Sequence, residues 1–372
     1  MGMNIKEVKT KSDLNKFIKL PWTIYKNDIN WVPPLISYMK STFNPNKNPY
    51  FKHSEVQFFL AMKNDNIVGR IAAHINRNHN KFHNDKVGFF GFFECIPDYD
   101  IARAIFDKAC KWLKNRGMEI IRGPMNFSTN DELGLLIKDF NVPPMVMMTY
   151  NPQYYISFFE KYGFKKEKDL YAYYIDLHEK MPERFERIMK RIKERKKFTL
   201  RKLNPKKMEQ EVALIFQVYN QAWQYNWGFV PMDDDEFKHM AKNLKQIIDF
   251  DLVYIAEIDN KPVGFSLTLP DVNQALIKIN GRLLPFGWLK LLLVSKQIDR
   301  VRTITLGVIQ KYKNLGIDLA FYYESIKNAI KKGCARGEMS WVLEDNIKMR
   351  RPLERIGAEI YKIYRIYDKN LT

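Results

Sequence analysis

The stretch Arg302 to Phe321, RTITLGVIQKYKNLGIDLAF, has residue types and spacing suited to holding an anion. A β-rich run, Thr303 to Val308, leads into a polar turn, Gln310 to Leu315, and a helix is expected from near Gly316. The first backbone N–H groups of such a helix lack intrahelical partners and sit at the positive end of its dipole, so they can hold a phosphate without any particular side chain. Lys311 and Lys313 add Coulombic attraction, and Asn314, Leu315, Gly316 and Ile317 carry the backbone of the turn. A second place for chemistry is the end of SWVLED, where Glu344 and Asp345 stand at a strand-to-helix junction beside Asn346. Carboxylates there are candidate general bases, with helix capping as the plainer role. A third is WQYNWGFVPMDDD, in which Trp223, Asn226, Trp227, Phe229 and Pro231 mix aromatics with loop formers and suit a cleft wall, core packing being the alternative. Asp271, Asn273 and Gln274 either face that cleft or form a turn.

The elements that must position these groups occur twice. Val56 to Ile75 and Leu252 to Leu269 each read as a hairpin whose second strand is interrupted by a glycine, Gly69 and Gly264, which are 195 residues apart. Asn151 and Asn346, also 195 apart, each precede a helix that ends at a glycine, Gly163 and Gly357. Between hairpin and final helix each half has a strand and an amphipathic helix ending in glycine, Asp100 to Gly117 and Gly316 to Gly333. Each half closes with an aromatic-rich strand, Leu170 to Asp176 and Ile360 to Asp368. Hairpins mixed with crossover helices imply an α/β fold of two units, each a mixed, mostly antiparallel sheet with helices on both faces.

In its position within the unit, the turn before Gly316 resembles the cofactor loop of the GNAT acyltransferase superfamily. Lys313, Gly316 and Asp318 occupy the three positions of that family's Gln/Arg-x-x-Gly-x-Gly/Ala pattern, and Asn346 and Gly357 match its later Asn and Gly. The resemblance covers residues 198–368 well and 4–176 more loosely. It implies that the loop amides grip the pyrophosphate of acetyl-CoA or another acyl-CoA, and that Leu306, Gly307 and Val308 pair with pantetheine and polarise the thioester. Glu344 or Asp345 would then take the amine proton, directly or through water. The sequence departs from the family at Asp318, where Gly or Ala is usual, and at Leu353 and Phe159, where a Tyr usually protonates the leaving thiolate. The first half has Glu94 to Asp100, ECIPDYD, in place of a phosphate loop, and is expected to have lost acyl-CoA binding or to bind something else.

Composition narrows the classes. The 372 residues are 46% hydrophobic and 14% aromatic, which excludes a disordered chain, and the length suits two domains. Three scattered cysteines, Cys95, Cys110 and Cys334, offer neither a disulfide framework nor a zinc site, in keeping with a cytoplasmic setting. His74, His79 and His83 fall in INRNHNKFHND, read as a loop leaving a strand, so no metal is expected. Asn126, Ser128, Asn130 and Glu132 lie in a polar insertion, either a compact loop or a second ligand site. The longest apolar run, Leu283 to Val294, is broken by Pro285, Gly287 and Lys290, so neither a membrane segment nor a membrane partner is expected; it reads as a buried helix, a pocket lid or a subunit contact. Of the net charge of +19, more than half lies between Arg184 and Lys207, with twelve Lys or Arg against Glu186 and Glu194. Phe185, Ile188, Met189 and Ile192 give this segment one apolar face, which predicts an amphipathic basic helix linking the halves.

The domains expected are therefore a degenerate GNAT-like unit over 1–177, a basic linker helix over 178–197, and over 198–372 a unit with the acyl-CoA site. The expected activity is N-acyl transfer from acyl-CoA to a small-molecule or peptide amine. Two alternatives stand beside it: an inactive ligand- or partner-binding protein, and aminoacyl transfer from tRNA of the Fem-like type. The basic segment motivates the second of these, and binding through many phosphates would weaken steeply with salt.

Overall fold

A computed structural model describes residues 2–178, 181–195 and 197–371; Met1, Glu179, Lys180, Lys196 and Thr372 lie outside the described residues, three of them in the expected linker. The first half runs β1 (Met3–Glu7), α1 (Lys11–Lys19), α2 (Pro21–Ile24), α3 (Ile36–Thr42), β2 (Ser54–Lys63), β3 (Asn66–Asn76) and α4 (Arg77–His83). It continues with β4 (Val87–Cys95), α5 (Tyr99–Lys114), β5 (Ile120–Gly123), β6 (Leu135–Lys138), α6 (Tyr155–Tyr162) and β7 (Lys165–Asp176). After α7 (Glu183–Glu194) come β8 (Thr199–Lys202), α8 (Met208–Trp223), α9 (Asp234–Leu244), β9 (Val253–Ile258), β10 (Lys261–Pro270) and α10 (Asn273–Leu276). The chain ends with α11 (Gly287–Ser295), β11 (Arg300–Val308), α12 (Ile317–Lys331), β12 (Arg336–Leu343), α13 (Ile347–Arg355) and β13 (Glu359–Asn370).

Two compact units result, and neither is one continuous stretch. Unit 1 takes the chain up to Leu170, Leu276–Leu291 and the chain from Ile363; unit 2 takes Tyr171–Ala275 and Leu292–Lys362. In unit 1 the strands lie in the order β1, β2, β3, β4, β5, antiparallel except for the parallel pair β4 and β5. The end of β13 completes the sheet, with Tyr367 opposite Gly123 and Asn370 opposite Ile120. Successive side chains of a strand point to opposite faces, and both faces are covered. Phe59 and Ala61 join Ile101, Ile105, Phe106 and Phe159 of α5 and α6, while Phe58 and Leu60 join Phe17 of α1 and Met39 of α3. Gly69 is what lets α5 close on β3, since a Cβ there would stand 2.3 Å from Ile105 Cδ1.

Unit 2 repeats the layout. Strands β8, β9, β10 and β11 pair antiparallel, β11 and β12 pair parallel, and the end of β7 lies beside β12. The Leu177 amide, just past β7, donates to the Ala335 carbonyl at 2.9 Å. Ile255 and Phe265 pack with Val218 and Phe237 on the α8 and α9 side; Tyr254 and Ala256 pack with Ile317 and Phe321 on the α12 side. Both hairpins turn through two residues of positive φ, Asn64 and Asp65 at 50° and 62°, Asp259 and Asn260 at 50° and 59°. Asn and Asp tolerate that region, and the resulting turn matches the twist of the flanking strands.

Two expectations are corrected. The stretch INRNHNKFHND is not a loop: Arg77 to His83 form α4, capped by the Asn76 side chain, which accepts from the His79 amide at 3.1 Å, and ended by Asn84 at φ 53°. Asparagine caps set these ends, and hydrophobic periodicity does not register them. The run Leu283 to Val294 is not a buried helix either, because α11 contains no buried residue.

Candidate functional site

The site is built where β11 runs into α12. The ladder between β10 and β11 shifts register at Leu267 and Thr268, which pair with Thr305 and Thr303 and leave Ile304 as an extra residue. Such a bulge re-aims the strand beyond it. The parallel register with β12 runs from Arg300 opposite Arg336 to Thr303 opposite Met339, whereas β11 keeps its β10 partners on to Val308. Leu306, Gly307 and Val308 thus form the far end of β11, with Gly307 opposite Phe265. Trp223 stacks on Tyr219, 4.8 Å between ring centroids, and lies 5.4 Å from Phe265. A Cβ on Gly307 would come within 1.9 Å of the Trp223 ring, so the indole lies directly on the strand backbone.

After Ile309, Gln310–Leu315 form a 3₁₀ turn, and Gly316 at φ 79° reverses the chain into α12. Only glycine takes that conformation without strain. Ile192 of α7 covers one side of Gly316, 2.7 Å from where a Cβ would be. Lys311 and Lys313 are exposed and Ile317 is buried. Partial burial and the nearby charge of Lys348 hold the Lys313 ammonium below its usual range. Two like charges gathered at a helix start, one from the loop and one from the first turn of α13, make a spot that favours an anion. Asp318 lies beside them. Burial pushes its carboxyl above the usual range, against the amides of Leu319 and Asp318 and the charge of Lys313.

Asn346 is the cap of α13, its side chain accepting from the Met349 amide at 3.2 Å. Glu344 is half-buried at the end of β12, its carbonyl accepting from Arg350 at 2.7 Å, and Asp345 is exposed. Arg350 also reaches the Tyr173 hydroxyl at 3.2 Å and the Glu354 carboxylate at 3.5 Å. Asn226 and Trp227 stand half-buried in the turn after α8, where the Asn226 amide donates to the Trp223 carbonyl at 2.8 Å. The structure therefore brings Trp223 onto Gly307, and Lys313 towards the helix that Asn346 caps. It does not bring Asp271 and Asn273 there: Asp271 is buried where its amide meets the Arg300 carbonyl at 2.8 Å, at the other end of β11, and its side chain accepts from the Asn273 amide. A cavity of about 510 Å³ in unit 2 runs along the other side of Ile192, between α7, α12 and the strands β8 and β9, lined by Ile192, Phe198, Leu200, Tyr254 and Ala320 among others.

Sequence reasoning missed Lys348 and a buried ionic cluster. Arg302 and Glu338 are each 1% exposed, opposite one another in the parallel register, with Nε 3.3 Å from the carboxylate. The Ser340 hydroxyl accepts from Arg302 at 2.8 Å and donates to Glu338 at 2.5 Å, and the Tyr361 hydroxyl donates to the other carboxylate oxygen. One signal was available: a charged residue within each of two strands otherwise read as core. Burying charged groups is costly unless they are paired and hydrogen-bonded.

Unit 1 builds the equivalent junction differently. At the end of β4, Glu94 accepts from Tyr25 and Tyr155 at 2.8 Å each and stands 3.6 Å from Arg70, and burial raises its carboxyl. The Cys95 amide donates to the Tyr155 hydroxyl at 2.7 Å. The start of α5 is capped by the Asp98 carboxylate, which accepts from the Asp100 amide at 3.1 Å and pairs with Lys63 at 3.1 Å. The place of an anion is thus taken by a side-chain carboxylate.

No protein-family model matches the chain. Among curated proteins, YghO of Escherichia coli K12 is 37% identical over 372 residues, covering 97% of this chain and 94% of its own length. A bacterial ceramide synthase of Caulobacter vibrioides is 38% identical over 376 residues, covering 99% and 98%. Of solved structures, a tandem GNAT protein from the clavulanic acid biosynthesis pathway aligns over 100% of this chain and 99% of its own, with TM-score 0.60 and 9% identity. A GCN5-related N-acetyltransferase from Sphaerobacter thermophilus aligns over 99% and 96%, with TM-score 0.53 and 12% identity. At those identities the solved structures bear on the fold alone.

Proposed function

The chain belongs to the tandem GNAT acyltransferases, in the family of YghO and the bacterial ceramide synthase, and from that premise we propose that unit 2 transfers an acyl group from acyl-CoA to an amine. The observation that carries this reading is the start of α12, where the positive-φ Gly316 is followed by first-turn amides with Lys313 and Lys348 close by. A pyrophosphate suits that setting. Unit 1, whose matching helix start is filled by Asp98, would serve as a framework rather than a second donor site.

In the proposed reaction the amine nitrogen attacks the thioester carbonyl, the C–S bond breaks, and an amide forms. Backbone amides of Gly307 and Val308 polarise the carbonyl. Glu344, half-buried at the end of β12, takes the proton that the amine must lose, directly or through water. Asp345, more exposed, is the second candidate. Leu353 is fully buried and apolar where the family's Tyr would stand, so the departing thiolate takes its proton through water. Ceramide formation acylates the amine of a long-chain base, and the full-length likeness to the ceramide synthase makes such a base the acceptor class we propose, in the cytoplasm where acyl-CoA is found.

The test is calorimetric titration with acetyl-CoA and a long-chain acyl-CoA, then thiol release with a long-chain base. Saturable binding that Gly316→Asp abolishes is expected. If neither thioester binds, the reading fails; if both bind and no amine releases thiol, the inactive ligand-binding alternative takes its place.

A further inference from the structure

The connection between β10 and β11 carries a surface that the acyl-transfer reading does not use. Leu284, Phe286, Trp288, Leu289, Leu292 and Leu293 are all exposed, Leu284 at 78% and Phe286 at 76%. Six large apolar side chains within ten consecutive residues far exceed the scattered exposure that needs no explanation. The base of this segment is fastened within unit 1. The Ile36 amide donates to the Gly281 carbonyl at 3.0 Å, and Trp22 Nε1 donates to Asn280 at 2.8 Å. Gly281 lies so close to its neighbours that a Cβ would meet Trp22 at 2.5 Å and the Pro34 carbonyl at 2.6 Å. The apolar end is therefore presented from a fixed footing.

Its charge has one sign. From Val272 to Ile298 there is no Asp or Glu, while Lys278, Arg282, Lys290 and Lys296 are exposed. Lys290 stands inside the apolar run, where its methylene stem can lie along the leucines with the ammonium held outward. A second copy of this chain on the same surface would set these cations against their own kind with no carboxylate to answer them. A bilayer with negative headgroups answers both features: the leucines and aromatic rings enter the acyl boundary and the cations meet phosphates. No helix among the described residues is long and apolar enough to cross a membrane, so the contact is with one leaflet. We propose that residues 282–296 dock this protein on an anionic membrane surface.

The inference rests on this surface alone and is independent of the acyl-CoA reading. It is tested by floating the full chain, with no thioester present, on vesicles containing phosphatidylglycerol and on vesicles of phosphatidylcholine only. Expected are binding to the anionic vesicles that salt weakens, and a loss of roughly tenfold or more in Leu289→Ser/Leu293→Ser and in Lys290→Glu. These positions are exposed, and circular dichroism checks that the variants stay folded. Absence of vesicle binding by the parent chain overturns the proposal, as do variants that bind as well as the parent. Light scattering that shows a parent dimer converted to monomer by the double substitution, without vesicle binding, assigns the surface to a second copy instead.

Discussion

Asp318 stands where a second small residue is usual, and its behaviour follows from its surroundings. A carboxyl held up by burial stays neutral until pH rises past its raised value, and only then does its charge oppose a pyrophosphate at the same helix start. Acyl-CoA affinity is accordingly expected to fall as pH rises through the Asp318 titration, and Asp318→Asn to flatten that dependence; calorimetry across pH checks both. Gly307→Ala drives a methyl into Trp223 and is expected to lower turnover roughly tenfold or more by displacing the strand under the thioester, with Gly307→Ala/Trp223→Leu recovering part of the loss. His74 tests unit 1. It is buried, in hydrogen-bond contact with the Tyr50 hydroxyl at 2.8 Å and the Met125 carbonyl at 3.1 Å, and burial lowers its pKa to about 4. The unfolded chain takes up that proton near pH 6.5 and the folded chain only near 4, so stability falls as pH drops through that window, by roughly 3 kcal/mol. Urea midpoints against pH should show the slope, and His74→Phe should remove its share.

At the scale of elements, the hairpins, the crossover helices and the turn before Gly316 were legible because each is set by local terms. Asn and Asp at positive φ make the two hairpin turns, and apolar spacing orders α5 and α12. The basic segment also formed the expected amphipathic helix. Its apolar face, Phe185 and Met189, is buried in unit 2, and Lys193 pairs with Glu324 at 2.8 Å. Packing thus accounts for that helix without a polyanion. Not legible was where α7 would pack. It places Ile192 against Gly316, so Gly316→Ala combines an unfavourable positive φ with a clash, and a loss of about 2 kcal/mol is expected. Ile192→Ala added to it should relieve the clash but leave the backbone part, as a double-mutant cycle in denaturant would read out. The end of β11 that carries Gly307 was visible as a strand, whereas Asp271 and Asn273 were separated from it by strand direction, which a linear reading of turn residues does not track.

For the whole molecule the repeated layout holds, yet the closing strands do not stay with their own halves. Residues 171–176 lie in unit 2 and the chain from Ile363 lies in unit 1, where Arg122 grips Asp368 through two hydrogen bonds of 2.8 and 2.6 Å. Removing the chain from Ile363 onward is therefore expected to expose β5 and β6 of unit 1, read as lost protection from hydrogen exchange at Ile120–Gly123 and Leu135–Lys138, while the α7–α12 packing of unit 2 keeps its protection. By itself the sequence determined the fold class, the duplication, the hairpins and the glycine-led helix start, since these depend on neighbours a few residues away. Tertiary structure alone decided which sheet each aromatic strand completes, because an alternating strand offers the same hydrogen bonds and the same apolar face to either edge. It alone paired Arg302 with Glu338, set Lys348 near Lys313, and left the leucines of α11 exposed, since each of those outcomes depends on partners far away in the chain.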